Sequence, residues 1–227
     1  MQYEIFGNNL PAVTLTLQPG ESIYTQSGGM TWMTDGIAME TNMKGGLGKA
    51  LGRMLSGESL FMATYTSQRP NTQITLAYYF PGSIIPLELG NGREFVCQKT
   101  AFLCATPGVA LSAMVQKLKV GFFGGEGFIM QRLGGTGLAF LEIDGTVVAK
   151  DLAPGEVLKV DTGNIAAYEA SMSYTAETVK GFKNVLFGGE GLFLSILRGP
   201  GRVYLQTVNI SEFASKIIPY IPAKSGD

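Results

Sequence analysis

Phe123-Gly124-Gly125-Glu126-Gly127-Phe128-Ile129-Met130 and Phe187-Gly188-Gly189-Glu190-Gly191-Leu192-Phe193-Leu194 are one phrase written twice, and Ser56-Gly57-Glu58-Ser59-Leu60-Phe61-Met62 is a looser third copy. Each copy leads from glycines, which take φ > 0 without steric cost, into an apolar run of strand length. Glu58, Glu126 and Glu190 recur at steps of 68 and 64 positions. Steps of that size exceed solenoid repeats and suit a small β-sandwich unit used three times.

A second phrase keeps the same beat. Leu17-Gln18-Pro19-Gly20-Glu21 returns as Leu152-Ala153-Pro154-Gly155-Glu156, with Gly92-Arg93-Glu94 as a weaker middle copy. Read on without gaps from the three glutamates, Met30, Leu103 and Ile165 fall together, and further on Leu138-Ala139-Phe140-Leu141 lies over Arg202-Val203-Tyr204-Leu205. The expected fold is all-β: three tandem similar β-sandwich modules with pseudo-threefold symmetry, at roughly 10–80, 83–147 and 148–210, and a C-terminal helical tail over 211–227. A single small sheet cannot bury both faces, and its edges invite pairing, so three units in one chain are expected to cover one another's edges.

Local signals agree. Tyr3, Ile5, Val13, Leu15 and Leu17 alternate around Asn8-Asn9-Leu10-Pro11, which reads as strand, turn, strand. Residues 23–34 read as extended and broken at Gly28-Gly29, and residues 72–78 and 203–208 are strong strand signals. Helix is expected only over 43–56, around 175–182 and over 211–218, where Ser211 is placed to cap and Pro219 to stop.

The chain's 227 residues carry a net charge of −1, which provides no basic field for nucleic acid or an anionic membrane. There is no histidine, so Ser-His-Asp and Cys-His relays are excluded, as is a histidine-ligated metal. The two cysteines, Cys97 and Cys104, cannot complete a thiolate zinc site, and two free, half-buried thiols are expected. The start, Met1-Gln2-Tyr3-Glu4-Ile5, lacks the basic and apolar stretches of a signal peptide, so a cytoplasmic location is expected.

With these turns and strand openers in place, the chain resembles the bacterial branch of the altered-inheritance-of-mitochondria family over about residues 1–215. The resemblance implies modules similar to the subunit of the tryptophan RNA-binding attenuator. It supplies no catalytic residue, substrate or cofactor, and its eukaryotic members are linked to mitochondrial inner-membrane organisation. Ser-Gly-Glu-Ser in the first copy departs from the Gly-Gly-Glu-Gly of the others, so one of three equivalent surfaces is expected to differ.

Two sets of residues are candidates for function. The repeated turn residues Gly57, Glu58, Gly125, Glu126, Gly189 and Glu190 either bring carboxylates together around a cation or, as expected, tie each carboxylate to N–H groups of its own turn. Lys44, Lys49, Arg53, Lys117, Lys119, Lys180 and Lys183 gather upstream of those turns as candidate contacts for an anionic partner, against a plainer reading as solvated charge. Residues 43–55 also read as a basic amphipathic segment, which suits either a membrane surface or packing against the sandwich. Gly45-Gly46-Leu47-Gly48-Lys49-Ala50 fails the phosphate-loop spacing, and Trp32 and Tyr78-Tyr79-Phe80 read as core rather than as a stacking platform. The functional expectation is a non-enzymatic binding or scaffolding protein without catalytic residues, metal or cofactor. Its expected partners are a protein, a further copy of itself or a membrane surface, with nucleic acid disfavoured. The alternative is a ligand- or RNA-binding regulator built on attenuator-like modules.

Overall fold

The computed structural model describes residues 1–26, 28–42, 62–77, 79–115, 129–178 and 193–221. The alternating N-terminal segments become β1 (Gln2–Phe6) and β2 (Ala12–Leu17). In β2, Val13, Leu15 and Leu17 are fully buried while Thr14 and Thr16 are only half-buried, so one face of the strand carries the core. Then come β3 (Ser22–Gln26), β4 (Met30–Met33), β5 (Ile37–Asn42), β6 (Met62–Ser67) and β7 (Thr72–Ala77). They are followed by β8 (Gly82–Leu89), β9 (Phe95–Gln98), β10 (Phe102–Ala105), β11 (Val109–Val115), β12 (Ile129–Gly135) and β13 (Gly137–Asp144). The last strands are β14 (Val147–Leu152), β15 (Val157–Asp161), β16 (Ile165–Glu169), β17 (Ser173–Thr178), β18 (Phe193–Arg198) and β19 (Gly201–Gln206). Among the described residues the fold is predominantly β, with one short α-helix, α1 (Ile210–Ile217), and single turns of 3-10 helix.

The described strands form four antiparallel sheets. The first is β1-β2-β7-β4, the second β5-β6-β3-β10-β13-β8, the third β11-β12-β9-β16-β19-β14 and the fourth β15-β18-β17. Buried side chains fix how these layers stack. Val13, Leu15 and Ile74 of the first sheet meet Ile23 and Phe140 of the second in a first core. Leu87 and Leu141 of the second sheet meet Phe95 and Leu133 of the third in a second core. Val96, Met130 and Ile165 of the third sheet meet Leu197 of the fourth in a third core. Each fully buried Leu, Ile or Phe contributes about 2 kcal/mol of transfer free energy, so the three gaps hold the layers together.

The middle sheets are therefore covered on both faces. In β13, Phe140 enters the first core while Ala139, Leu141 and Ile143 enter the second. In β9, Phe95 and Cys97 enter the second core and Val96 the third. This is why Phe102–Ala105 and Ile165–Tyr168 are apolar without alternation: neither face of these strands meets water.

Turn chemistry sets the entry to β3, β9 and β15. Gly20, Gly92 and Gly155 adopt φ of +83°, +78° and +80°, a region that costs an L-residue a clash with its own Cβ. The N–H of the next residue then bonds back to the residue three before it: Glu21 to the Gln18 carbonyl at 2.9 Å, Arg93 to Gly90 at 2.9 Å and Glu156 to Ala153 at 3.0 Å. Arg93, and not Glu94, thus matches Glu21 and Glu156, so the gap-free alignment of the sequence is one residue out in its middle copy. The ladders carry the same correction. Met30 pairs with Leu76, Phe102 with Leu141 and Ile165 with Leu205, and each is followed by a bulge. Phe102 rather than Leu103 is the counterpart of Met30.

Two further expectations change. Of the helix expected around 175–182, residues 175–178 lie instead in β17, paired along β18 from Ser173–Arg198 to Thr178–Phe193, where tertiary pairing overrides a weak local signal, and residues 179–182 lie outside the described residues. The C-terminal helix begins at Ile210, one residue before Ser211, and the Phe213 N–H donates to the Asn209 carbonyl at 2.9 Å. Among the described residues, β4 pairs only with β7 and β15 only with β18. No helix among the described residues is long and apolar enough to cross a membrane.

Candidate functional site

Where β9 pairs with β16, the turn entering β9 and the end of β16 enclose a polar cleft of about 390 Å³. Its floor is set by backbone: the Ala170 N–H donates to the Glu94 carbonyl at 2.9 Å. The left-handed turn at Gly92 delivers Arg93 to one wall, where its Nε donates to Glu169 Oε1 at 2.8 Å. The same guanidinium lies 4.9 Å from the centroid of the Phe95 ring, a cation–π contact that fixes its plane. Glu169 Oε2 accepts the Arg202 backbone N–H at 3.0 Å. Across the cleft, Arg132 Nη1 stands 3.5 Å from Glu94 Oε2, and the buried Arg132 Nε has no hydrogen-bond partner among the described residues.

Two guanidiniums therefore face two carboxylates, and each charge is already committed. Pairs with this much water access contribute about 0–1 kcal/mol each, so they order the walls more than they stabilise the fold. Neither carboxylate can take a proton from a bound molecule without breaking a pair. The cleft suits recognition of a small polar group better than acid–base work. Just outside it, Arg202 grips Asp151 through two bonds of 2.7 Å, and this pairing holds the exposed Asp151 carboxyl below its ordinary range.

The strongly perturbed groups lie in or beside the cores instead, with Glu142 half-buried on β13. Burial, with Asp144 adding to it, pushes the Glu142 carboxyl up to about 9. Burial pushes the Cys97 thiol up to about 12, and burial together with nearby Glu142 pushes Cys104 up as well. Both thiols are free and fully buried, not half-buried as expected, because they occupy different cores: Cys97 the second and Cys104 the first. Such thiols are inert packing groups. Among the described residues no three Cys, Asp or Glu gather to hold a metal ion.

The residues singled out in the sequence lie elsewhere. Lys44, Lys49, Arg53, Lys117, Lys119, Lys180, Lys183 and the turn residues Gly57, Glu58, Gly125, Glu126, Gly189 and Glu190 all lie outside the described residues, as do Tyr78 and the helix expected over 43–56. They belong to three connections whose flanking strands end in the pairs Asn42–Met62, Val115–Ile129 and Thr178–Phe193. Of the aromatics read as core, Trp32 is 54% and Tyr79 81% exposed, and Phe80 packs its ring 5.2 Å from Phe213 of α1. Trp32 stands opposite Thr75 on β4, an edge strand, on the face of the first sheet away from the core residues Ile74 and Leu76. Arg93, Arg132 and Glu169 were not singled out, since the pairing of β9 with β12 and β16 brings them together from distant parts of the chain. The one sequence signal was Gly92-Arg93-Glu94, which reads only as a turn.

Residues 3–208 match the family described as mitochondrial biogenesis AIM24. An uncharacterised protein of Streptococcus pyogenes serotype M6 is 31% identical over 224 residues, which cover 95% of this chain and 88% of that protein. The crystal structure of protein SPYM3_0169 from Streptococcus pyogenes superposes with a TM-score of 0.81 at 28% identity, covering 97% of this chain and 99% of that one.

Proposed function

The chain belongs to the AIM24 family of mitochondrial biogenesis proteins, and from that premise we propose that it is a non-enzymatic scaffolding protein that acts by binding a protein partner. The carrying observation is one strand plan used three times. In β2–β7, in β8–β13 and in β14–β19, the first strand pairs with the sixth, the second with the fifth, the third with the sixth and the fourth with the fifth. We take these sets as three tandem modules similar to the attenuator subunit, with the boundaries read from the sequence, 10–80, 83–147 and 148–210. Neighbouring modules join by pairing the second strand of one with the third strand of the next, β3 with β10 and β9 with β16. The pair that would close a threefold shell, β15 with β4, is absent among the described residues. The modules are thus better described as an array with two ends than as a closed ring.

A chain that devotes its strands to shared cores, and whose cleft neutralises its own charges, is suited to presenting surfaces. The family's description, mitochondrial biogenesis, points to organelle formation as the setting. Reciprocal affinity capture from the native host, with either partner tagged, tests the reading. A protein recovered in both directions at constant stoichiometry is expected. Turnover of a small molecule abolished by Arg93→Ala or Glu169→Gln would overturn it.

A further inference from the structure

We propose that the two open strands at the ends of the array, β4 and β15, join one copy of this chain to the next, head to tail, by the same strand pairing that joins its own modules. This rests on the three-module reading above.

The array contains that joint twice. In the first, Cys104 stands opposite Thr25 and Ala105 opposite Tyr24. In the second, Ala167 stands opposite Cys97, Tyr168 opposite Val96 and Glu169 opposite Phe95. The ladders within each module make Trp32 the counterpart of Cys104 and Ala167, and Val160 the counterpart of Thr25 and Cys97. The joint between copies therefore has a definite register: Trp32 opposite Val160, Met33 opposite Lys159 and Thr34 opposite Leu158.

Exposure follows the same logic. Cys104 and Ala167 are 0% exposed inside their joints, whereas Trp32 is 54% and Met33 38% exposed. Edge strands in soluble proteins are usually blunted by charge or proline, so an edge carrying Trp and Met is a template for another strand. The opposite end complements it. Leu158 and Val160 pack half-buried against the third core, and Trp32 of the next copy extends that wall. Lys159 points to the other face and lays its methylene stem along Met33, with its ammonium in water. The four-stranded first sheet and three-stranded fourth sheet then form one continuous sheet, β17-β18-β15-β4-β7-β2-β1, on the plan of the two middle sheets. A heterologous contact of this kind builds a ring if the rotation closes and an open chain if it does not.

Cysteine pairing tests the register in the full-length protein, with Cys97 and Cys104 silent because they are buried. Residues opposed across antiparallel strands lie within disulfide reach. W32C mixed with V160C is expected to give a disulfide-linked heterodimer under mild oxidation, with neither variant linking to itself to a comparable extent. In sedimentation of the unmodified protein over a roughly hundredfold concentration range, the mean mass should rise with concentration. Trp32→Glu should then need roughly tenfold more protein to reach the same mean mass. Monomer throughout that range would overturn the proposal, as would an equally strong W32C–W32C link. An intrachain link in the double variant W32C/V160C at high dilution would also overturn it, since the two ends would then close on each other. None of these results bears on partner capture, so the scaffold reading stands or falls separately.

Discussion

Glu142 offers a test of what partial burial costs a carboxyl in this fold. It sits on β13 between Leu141 and Ile143, whose side chains are fully buried, and its carboxyl is pushed up to about 9 by burial, with nearby Asp144 adding to the effect. Unfolded, the group should titrate near 4.5. Its folded value is the higher one, so the native state holds the proton more tightly. Its contribution is most favourable below pH ~4.5 and is lost as pH rises towards ~9. The slope over that window is about 1.4 kcal/mol per pH unit. At pH 7 the acid form buried in the protein has therefore given up about 3 kcal/mol relative to an ionised unfolded chain. Glu142→Gln keeps the shape and a hydrogen-bonding amide but removes the titration. Urea unfolding of both proteins at pH 5, 6, 7 and 8 should show curves that diverge steadily, with the variant gaining up to about 1.4 kcal/mol of relative stability per pH unit. Parallel pH profiles, or a variant that loses ground as pH rises, would refute the reasoning.

Three other substitution sets probe the layers. Phe140→Ala removes a fully buried ring from the first core and should cost about 3–5 kcal/mol in urea unfolding, with little change in the slope of the transition. Gly20→Ala, Gly92→Ala and Gly155→Ala meet no neighbouring atom, so each should cost only the left-handed backbone penalty of about 1 kcal/mol, and the three losses should agree within error. Unequal losses would count against equivalent turns. Cys97 and Cys104 should resist a thiol reagent in the folded protein and react together on unfolding, which a timed assay with and without denaturant will show.

The strand content was legible because alternation is a local property. Val13, Leu15 and Leu17 announce a half-buried strand on their own, and Pro19-Gly20 and Pro154-Gly155 announce their turns. What failed were features set by distant partners. The one-residue shift at Gly92 could not be seen, because Glu94 offers a better letter match to Glu21 than Arg93 does, yet the turn is fixed by which glycine takes φ > 0. The stretch 175–178 carries no strong preference, and β18 decides it. The cleft was invisible for a related reason: Arg93, Arg132 and Glu169 meet only after β9 has found both β12 and β16. The residues on which the sequence placed its functional weight, the lysines and glutamates of the three connections, lie outside the described residues, so the structure neither gathers nor separates them.

Trp32 carries the most instructive error, because the reading was locally sound and failed on position in the array. An aromatic residue in an extended stretch is usually core, and its counterparts Cys104 and Ala167 are indeed buried. Those counterparts lie on interior strands covered on both faces and paired at both edges, β10 with β3 and β13, and β16 with β9 and β19. At β4 no described strand closes the outer edge. Under the three-module reading proposed above, a position that is interior in two copies becomes surface in the copy at an end. Selection for a solitary monomer would be expected to fill β4 with charge or proline. The head-to-tail proposal accounts for Trp32 and Met33 at that edge: it would set them opposite Val160 and Lys159 of the next copy.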